Sequence, residues 1–150
     1  QAIITERLNK FEQEMHYDYI AGFESLIQNL HQHGVKTAVV TSSNMPKMES
    51  VYRHQPNFKT LFDAILTSED FEYSKPDPDC YLRAAQHFGA QVDECVVFED
   101  SINGLRSGRA AGMKVVGLTT TNLQERVAEW SDIQIPDYLT ISFETLNELL

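Results

Sequence analysis

The sequence predicts an α/β fold, namely a Rossmann-like, doubly wound parallel sheet with helices on both faces. Short apolar runs rich in β-branched residues alternate along the chain with segments of helical periodicity. The runs are apolar throughout, as is typical of strands buried on both faces of a parallel sheet. Polar residues follow several of them, and ligands of such sheets gather beyond the carboxyl ends of the strands.

Two helical segments precede the first predicted strand. Residues 5–16 are polar and helical, with apolar side chains on one side at Leu8, Phe11 and Met15. Residues 22–33 repeat apolar positions at helical spacing, at Phe23, Leu26, Ile27 and Leu30. Gly34 follows as the glycine that ends this second helix.

The residue pattern in the middle of the chain predicts two strands and a helix. VKTAVV (35–40) is a β-branched run between polar residues and is interpreted as a buried strand, and FDAILT (62–67) is the next one. Residues 76–89 form a helix that Asp77 can cap and that Gly89 closes.

The last third of the chain continues the alternation. Strands are predicted at 95–98 and 113–119, with a weak last strand at 138–141. Helices are predicted at 102–111, 122–130 and 143–150. Crossovers between parallel strands of one sheet are right-handed, so these helices should cover both faces.

Composition indicates one domain and excludes several function classes. The chain has 150 residues, 42% of them hydrophobic, and a net charge of −10. The 12 basic residues form no cluster of the kind that nucleic-acid binding requires. No run of about 18 apolar residues suggests a membrane span. We expect a cytoplasmic protein in which Cys80 and Cys95 are free thiols.

Two adjacent acids, Glu99 and Asp100, end an apolar run. Neighbouring carboxylates repel each other, and Mg²⁺ offsets that repulsion because it binds one or two carboxylates together with waters and a substrate phosphate. The pair therefore predicts a metal site. The alternative is that Asp100 only caps the helix that begins near Ser101 and that Glu99 is solvated.

Two further segments could hold an anion at the same edge. VVTSSN ends a strand in hydroxyl groups, and Thr41 is the residue that we place against a phosphate oxygen. Lys75 lies in SKPDP, where the following proline favours an extended backbone that would fix the cation in place. Taken singly, these two segments are better explained by ordinary helix capping and by an exposed turn lysine.

Together the three segments are much more specific. In the order T-S-S, S-K-P-x-P and E-D-S-x-x-G they resemble the haloacid dehalogenase-like hydrolase superfamily, nearest to its β-phosphoglucomutase-like enzymes and sugar-phosphate phosphatases. The resemblance covers about residues 17–150, which it identifies as the family's core domain. Residues 1–16 resemble the last helix of the helical cap.

The resemblance implies a role for each matching residue. Thr41 and the Ser42 amide would bind phosphate, and Lys75 would stabilise the attacking carboxylate and the transferring phosphoryl group. Glu99 and Asp100 would hold Mg²⁺ directly or through water. The remaining positions are implied to approach the substrate phosphate, at Ser43 and Asn44, or to support the loop, at Ser101 and Asn103.

One motif of the family is missing. Its nucleophile lies in an Asp-x-Asp that ends an apolar strand, whereas the one Asp-x-Asp here is Asp77-Pro78-Asp79, which we interpret as helix capping. We therefore expect a core that lacks its central first strand, a C-terminal part of a longer protein that is inactive alone. A missing N-terminal segment of the same protein would then be a partner.

The leading hypothesis is Mg²⁺-dependent phosphoryl transfer on a small phosphorylated metabolite, a sugar phosphate, through an aspartyl-phosphate in the complete protein. The product would be released by water in a phosphatase or captured by a second hydroxyl in a mutase. The alternatives are a non-catalytic fragment or pseudoenzyme that binds Mg²⁺ and phosphate, and, more weakly, a response-regulator-like receiver.

Overall fold

The computed structural model describes residues 3–6, 21–54 and 56–150. Six parallel strands form one sheet in the order β3-β2-β1-β4-β5-β6. In chain order the strands are β1 Ile3–Glu6, β2 Lys36–Val40, β3 Ala64–Leu66, β4 Cys95–Glu99, β5 Lys114–Leu118 and β6 Ile133–Ile135. The helices are α1 Phe23–Gln32, α2 Met45–His54, α3 Phe58–Leu61, α4 Asp79–Phe88, α5 Ile102–Ala110, α6 Gln124–Ala128 and α7 Phe143–Leu149.

Helices cover both faces of the sheet, as the sequence predicts. Successive strand residues point to opposite faces, and Val96 and Val97 accordingly belong to two separate buried clusters. One cluster includes residues of α1, α2, α3 and α7, and the other includes residues of α4, α5 and α6. All four apolar residues predicted to line one face of the helix at 22–33 are buried in α1. The doubly wound α/β fold is thus confirmed.

The prediction that the core lacks its central first strand is wrong. Residues 3–6 form β1, which pairs in parallel with both β2 and β4. Unpaired edges in the middle of a sheet leave backbone N–H and C=O groups without partners, and β1 satisfies them. The helix predicted at 5–16 is wrong at residues 5 and 6, and its remaining residues lie outside the described ranges.

The last strand lies earlier than predicted. The weak strand expected at 138–141 does not form, and β6 at Ile133–Ile135 pairs with β5 instead. Pro136 follows β6 directly and has no N–H for a further ladder bond. Tyr138 and Ile141 are buried, so the apolar pattern at 138–141 reflects core packing in a loop.

The helix predicted at 76–89 begins later, at Asp79. Asp77 accepts a hydrogen bond from the Asp79 amide at 2.9 Å. The N-cap residue is nevertheless Pro78, whose side chain makes no capping bond, so the predicted cap at Asp77 is one residue too early. Gly89 adopts a left-handed backbone with a φ of 66° and closes the helix as expected. Among the helices of the described ranges, none is long and apolar enough to cross a bilayer.

Both cysteines are thiols outside any disulfide, as predicted, and both are fully buried. Burial raises the pKa of the Cys80 thiol, which lowers its thiolate fraction and its reactivity. We expect a thiol reagent such as DTNB to label neither cysteine quickly in the native protein and to label both after unfolding in guanidinium chloride. Rapid stoichiometric labelling under native conditions would contradict this packing.

Candidate functional site

A buried ion pair lies at the carboxyl edge of the sheet. The Lys75 ammonium nitrogen is 2.9 Å from Glu99 Oε2, with side chains that are 2% and 0% exposed. The same nitrogen donates a hydrogen bond to the Val40 carbonyl at 3.2 Å. The turn before α4 and the ends of β4 and β2 therefore meet at one cation, which places three separate segments of the sequence together.

Several contacts fix the turn that carries Lys75. Ser107 on α5 donates a hydrogen bond of 2.6 Å to the Asp77 carbonyl. The Asp79 carboxylate accepts hydrogen bonds from the Tyr73 and Glu72 amides at 3.1 and 2.6 Å. The bond from the Tyr73 amide is the main cause that lowers the pKa of Asp79, because it favours the charged carboxylate. These bonds tie both ends of the turn to the helices beside it.

The ring of Tyr81 gives the lysine a third contact. The Lys75 ammonium lies 5.0 Å from the centre of this fully buried ring. An aromatic face attracts a cation, more strongly where water is excluded. Burying an ion pair costs several kcal/mol per charge, and the attraction between the charges offsets that cost only with good geometry and further polar contacts. The carbonyl and the ring supply such contacts here.

Thr41 follows Val40 directly and is fully buried. Its amide donates to the Leu66 carbonyl at 3.0 Å, and its hydroxyl accepts a hydrogen bond from the Ser43 amide at 3.1 Å. Ser42 is exposed at the edge, whereas Ser43 is buried. The segment is thus a tight turn beside the residue whose carbonyl holds Lys75.

Asn44 serves the next helix rather than the edge. Its side-chain oxygen accepts a hydrogen bond from the Lys47 amide at 3.1 Å, in the first turn of α2. The family resemblance implies that Asn44 approaches a substrate phosphate, and this side-chain contact does not support that role.

Asp100 lies beside the loop that follows β5. Its Oδ2 accepts a hydrogen bond from the Thr121 hydroxyl at 2.8 Å, and its carbonyl accepts one from the Asn122 side chain at 3.0 Å. Ser101, not Asp100, caps α5, because its hydroxyl accepts the Gly104 amide at 3.0 Å. The alternative was that Asp100 caps this helix and that Glu99 is solvated. Both parts are wrong, because Ser101 is the capping residue and Glu99 is buried.

Sequence reasoning missed two supports of this edge. Asn122 was not singled out, although its position just after a strand was the available signal. Gly104 is the second support, and its role differs from that of Gly108, where a Cβ would lie 3.0 Å from Val115 Cγ2 and close helix–sheet packing requires the glycine. A Cβ at Gly104 would instead overlap the Glu99 carboxylate, so this glycine makes room for the charged pair. Asn103, the other predicted loop residue, is exposed.

The donor atoms at this edge fit Mg²⁺ through Asp100. Among the described residues no group of three His, Cys, Asp or Glu side chains converges as a metal cage. Mg²⁺ does not require one, since it commonly takes one or two carboxylates, waters and phosphate oxygens. Asp100 is partly exposed and offers a carboxylate. Glu99 is buried and forms an ion pair with Lys75. This arrangement fits a role for Glu99 in positioning the lysine rather than in binding Mg²⁺ directly.

Comparison with known proteins gives consistent matches. The family model described as haloacid dehalogenase-like hydrolase matches residues 1–118. A bifunctional riboflavin kinase/FMN phosphatase of Arabidopsis thaliana is 32% identical over 125 residues, covering 83% of this chain and 33% of the relative. Hexitol phosphatase A of Escherichia coli is 36% identical over 99 residues, covering 66% of this chain and 45% of the relative. The chain thus spans less than half of either protein.

A solved structure supports the fold. The putative β-phosphoglucomutase from Thermotoga maritima superposes with a TM-score of 0.75 at 22% identity, over 87% of this chain and 60% of that one. At this identity the likeness concerns the fold alone.

Proposed function

The chain belongs to the haloacid dehalogenase-like hydrolase family, and from that premise we propose that it forms the phosphate-binding core of a phosphatase or phosphomutase that acts on a small phosphorylated metabolite. A sugar phosphate is the substrate class that we propose. The relatives named hexitol phosphatase and fructose-1-phosphate phosphatase support that choice. The chain covers 45% and 42% of the length of these two relatives, so their activities enter here as a proposal.

One observation carries the proposal. The Lys75 ammonium is bound both to the Glu99 carboxylate and to the carbonyl that precedes Thr41. A cation and a hydroxyl-bearing turn, fixed at the carboxyl edge of a parallel sheet, suit a group that gains negative charge during transfer. Preorganised donors of this kind act strongly because they need no reorganisation at the moment of reaction.

We assign roles to the residues of this edge accordingly. The exposed turn after Thr41 would bind the phosphate, with the Ser42 amide as a donor, and Lys75 would stabilise the transferring group. Glu99 would hold Lys75 in position. Asp100 would hold Mg²⁺, which when bound supplies charge neutralisation at the phosphate oxygens.

The nucleophile in this proposal is an aspartate that would attack phosphorus to form an aspartyl-phosphate while the alcohol leaves. The chain's own Asp-x-Asp is engaged in the turn before α4, where Asp77 and Asp79 accept backbone hydrogen bonds. The aspartate would therefore come from another segment of polypeptide. The alternative, a binding fragment without chemistry, keeps the same phosphate and Mg²⁺ roles. A cytoplasmic location, consistent with the free thiols, is part of the proposal.

Thr41→Val is expected to weaken inorganic phosphate binding about tenfold, because it removes the hydroxyl that shapes the phosphate-binding turn. Binding is measured by calorimetry and by the rise of the melting temperature with phosphate in the presence of Mg²⁺. Thr37→Val is the matched control, since both threonines are fully buried and Thr37 lies at the start of β2. Equal losses in both variants, or no phosphate binding by the unmodified chain, would contradict the proposal.

Turnover separates the leading function from the alternative. Fructose 1-phosphate and a hexitol phosphate are offered to the 150-residue chain with Mg²⁺, alone and with the N-terminal region of the parent gene's product supplied in trans. Phosphate release in the second mixture supports the enzyme. Phosphate binding that never leads to release supports the binding fragment.

A further inference from the structure

A groove of about 720 Å³ lies beside the turn that carries Lys75. One wall is this turn, with Tyr73 and Asp77, and the other is α5, with Arg106 and Arg109. Trp130, just after α6, also lines the groove. The volume is in the range of small-molecule sites, which combine apolar and aromatic walls with a few placed polar groups. Thr41, Ser42 and Asp100 do not line the groove, so it is separate from the proposed phosphoryl-transfer edge.

Arg106 is the unusual group of this groove. Its guanidinium carbon lies 5.3 Å from the centre of the Trp130 ring, so the two make a cation–π contact. Arg109 is neutralised by Asp132 at 3.3 Å, and Arg83 by Asp79 at 3.1 Å. Arg106, in contrast, forms no ion pair with a carboxylate of the described residues. Among the described residues that line the groove, Arg106 is thus the arginine that pairs with no carboxylate, in a chain with a net charge of −10.

A planar guanidinium held in this way suits an oxyanion. Its donors form a fixed fork that matches phosphate or carboxylate oxygens, and stacking on a ring leaves the edge of the fork open. Tyr73 adds a second aromatic surface, 56% exposed, on the facing wall. Asp77 gives that wall a negative charge, which directs the anionic end of a ligand toward Arg106.

We propose that this groove binds a small anion carried on a planar aromatic ring, of the class of nucleoside monophosphates. The oxyanion lies on the Arg106 fork, and the ring stacks against Tyr73. Neither group alone makes a full set of contacts: a bare phosphate leaves the aromatic wall exposed, and a neutral nucleoside leaves Arg106 without a counter-charge. The affinity therefore depends on both parts of the ligand.

Trp130 makes the test direct, because it is the single tryptophan of the chain and lies in the groove. AMP is titrated into the 150-residue protein while tryptophan fluorescence is recorded, and the affinity is taken from this fluorescence change because Trp130 lines the groove. We expect a saturable change in fluorescence. Adenosine and ribose 5-phosphate, each offered alone, are expected to bind at least about tenfold more weakly than AMP.

Arg106→Gln is expected to weaken AMP binding about tenfold or more, because it removes a charge-assisted contact. Arg53→Gln on α2 is the matched control: Arg53 is also exposed and its loss changes the net charge equally, so binding should change by less than about twofold. Tyr73→Ala provides a second variant on the opposite wall. Thermal unfolding of each variant establishes that it is folded.

Three results would overturn the proposal. The first is that AMP gives no saturable signal at millimolar concentration. The second is that Arg106→Gln and Arg53→Gln bind AMP equally well. The third is that Thr41→Val, but not Arg106→Gln, abolishes binding, which would place the nucleotide phosphate at the phosphoryl-transfer edge. Loss of AMP binding in Arg106→Gln with phosphate binding at that edge unchanged would support it.

Discussion

Lys75→Met is expected to lower the free energy of unfolding by about 3–5 kcal/mol, because it leaves the Glu99 carboxylate buried without its counter-charge. The Glu99 side chain is 0% exposed, and Lys75 is its ion-pair partner at 2.9 Å. Methionine nearly matches the volume of lysine, so the loss reflects charge rather than a cavity. Chemical denaturation monitored by circular dichroism measures the difference.

Two controls isolate the charge effect. Lys114→Met at the start of β5 makes the same replacement at an exposed position and should change stability by no more than about 0.5 kcal/mol. Lys75→Met combined with Glu99→Leu removes both charges and should recover most of the loss, since an apolar pair of similar size is often as stable as a buried ion pair. If the single and double variants were equally unstable, the ion pair would not be the cause.

Much of this architecture follows from local patterns that parallel sheets impose. Residues 35–40 and 95–98 are apolar throughout, which marks strands buried on both faces. The carboxyl ends of such strands share one edge, so the lysine of SKPDP and the glutamate after CVVF could be expected to meet there. Their contact in the structure agrees with that expectation.

The failures concern short elements whose state depends on distant partners. Ile3, Ile4 and Thr5 are β-branched, but three residues are too few for periodicity to outweigh the helical pattern of the segment after them. Their pairing with β2 and β4 decides their conformation. β6 is equally short, and its position is set by its ladder with β5 rather than by the stronger apolar pattern that follows.

The residues that hold the candidate site in place could not be predicted either, because their contacts also depend on distant partners. The hydrogen bond from Thr121 to Asp100 joins residues 21 positions apart, and the bond from Ser107 to the Asp77 carbonyl joins residues 30 apart. No spacing rule connects such pairs, because the sheet order and the helix positions bring them together. Residue type gave the candidates, and tertiary contacts gave their functions in the fold.

Gly104→Ala is expected to lower the free energy of unfolding by about 3 kcal/mol, because the new methyl group displaces the Glu99 carboxylate from Lys75. A Cβ at this position would overlap Oε2 of Glu99 and lie 2.8 Å from its Cγ. Gly104 is inside α5, where alanine is favoured over glycine by about 1 kcal/mol from helix propensity. The sign of the change in the free energy of unfolding therefore distinguishes the two effects. Helix propensity alone would stabilise the protein, whereas displacement of the Glu99 carboxylate would destabilise it.

Asn103→Ala tests the propensity term by itself, since Asn103 is exposed on the same helix, and a small gain in stability is expected. Glu99→Asp tests the steric term, because the shorter side chain withdraws from the position of the new methyl group. In that background Gly104→Ala should cost clearly less than in the unmodified protein, and the difference measures the coupling between the two positions.

If Gly104→Ala were stabilising, or if its cost were the same in both backgrounds, the room that Gly104 leaves for Glu99 would have no part in holding the ion pair. The expected coupling instead makes the smallest residue of the E-D-S-x-x-G segment a determinant of where its largest charged side chain lies.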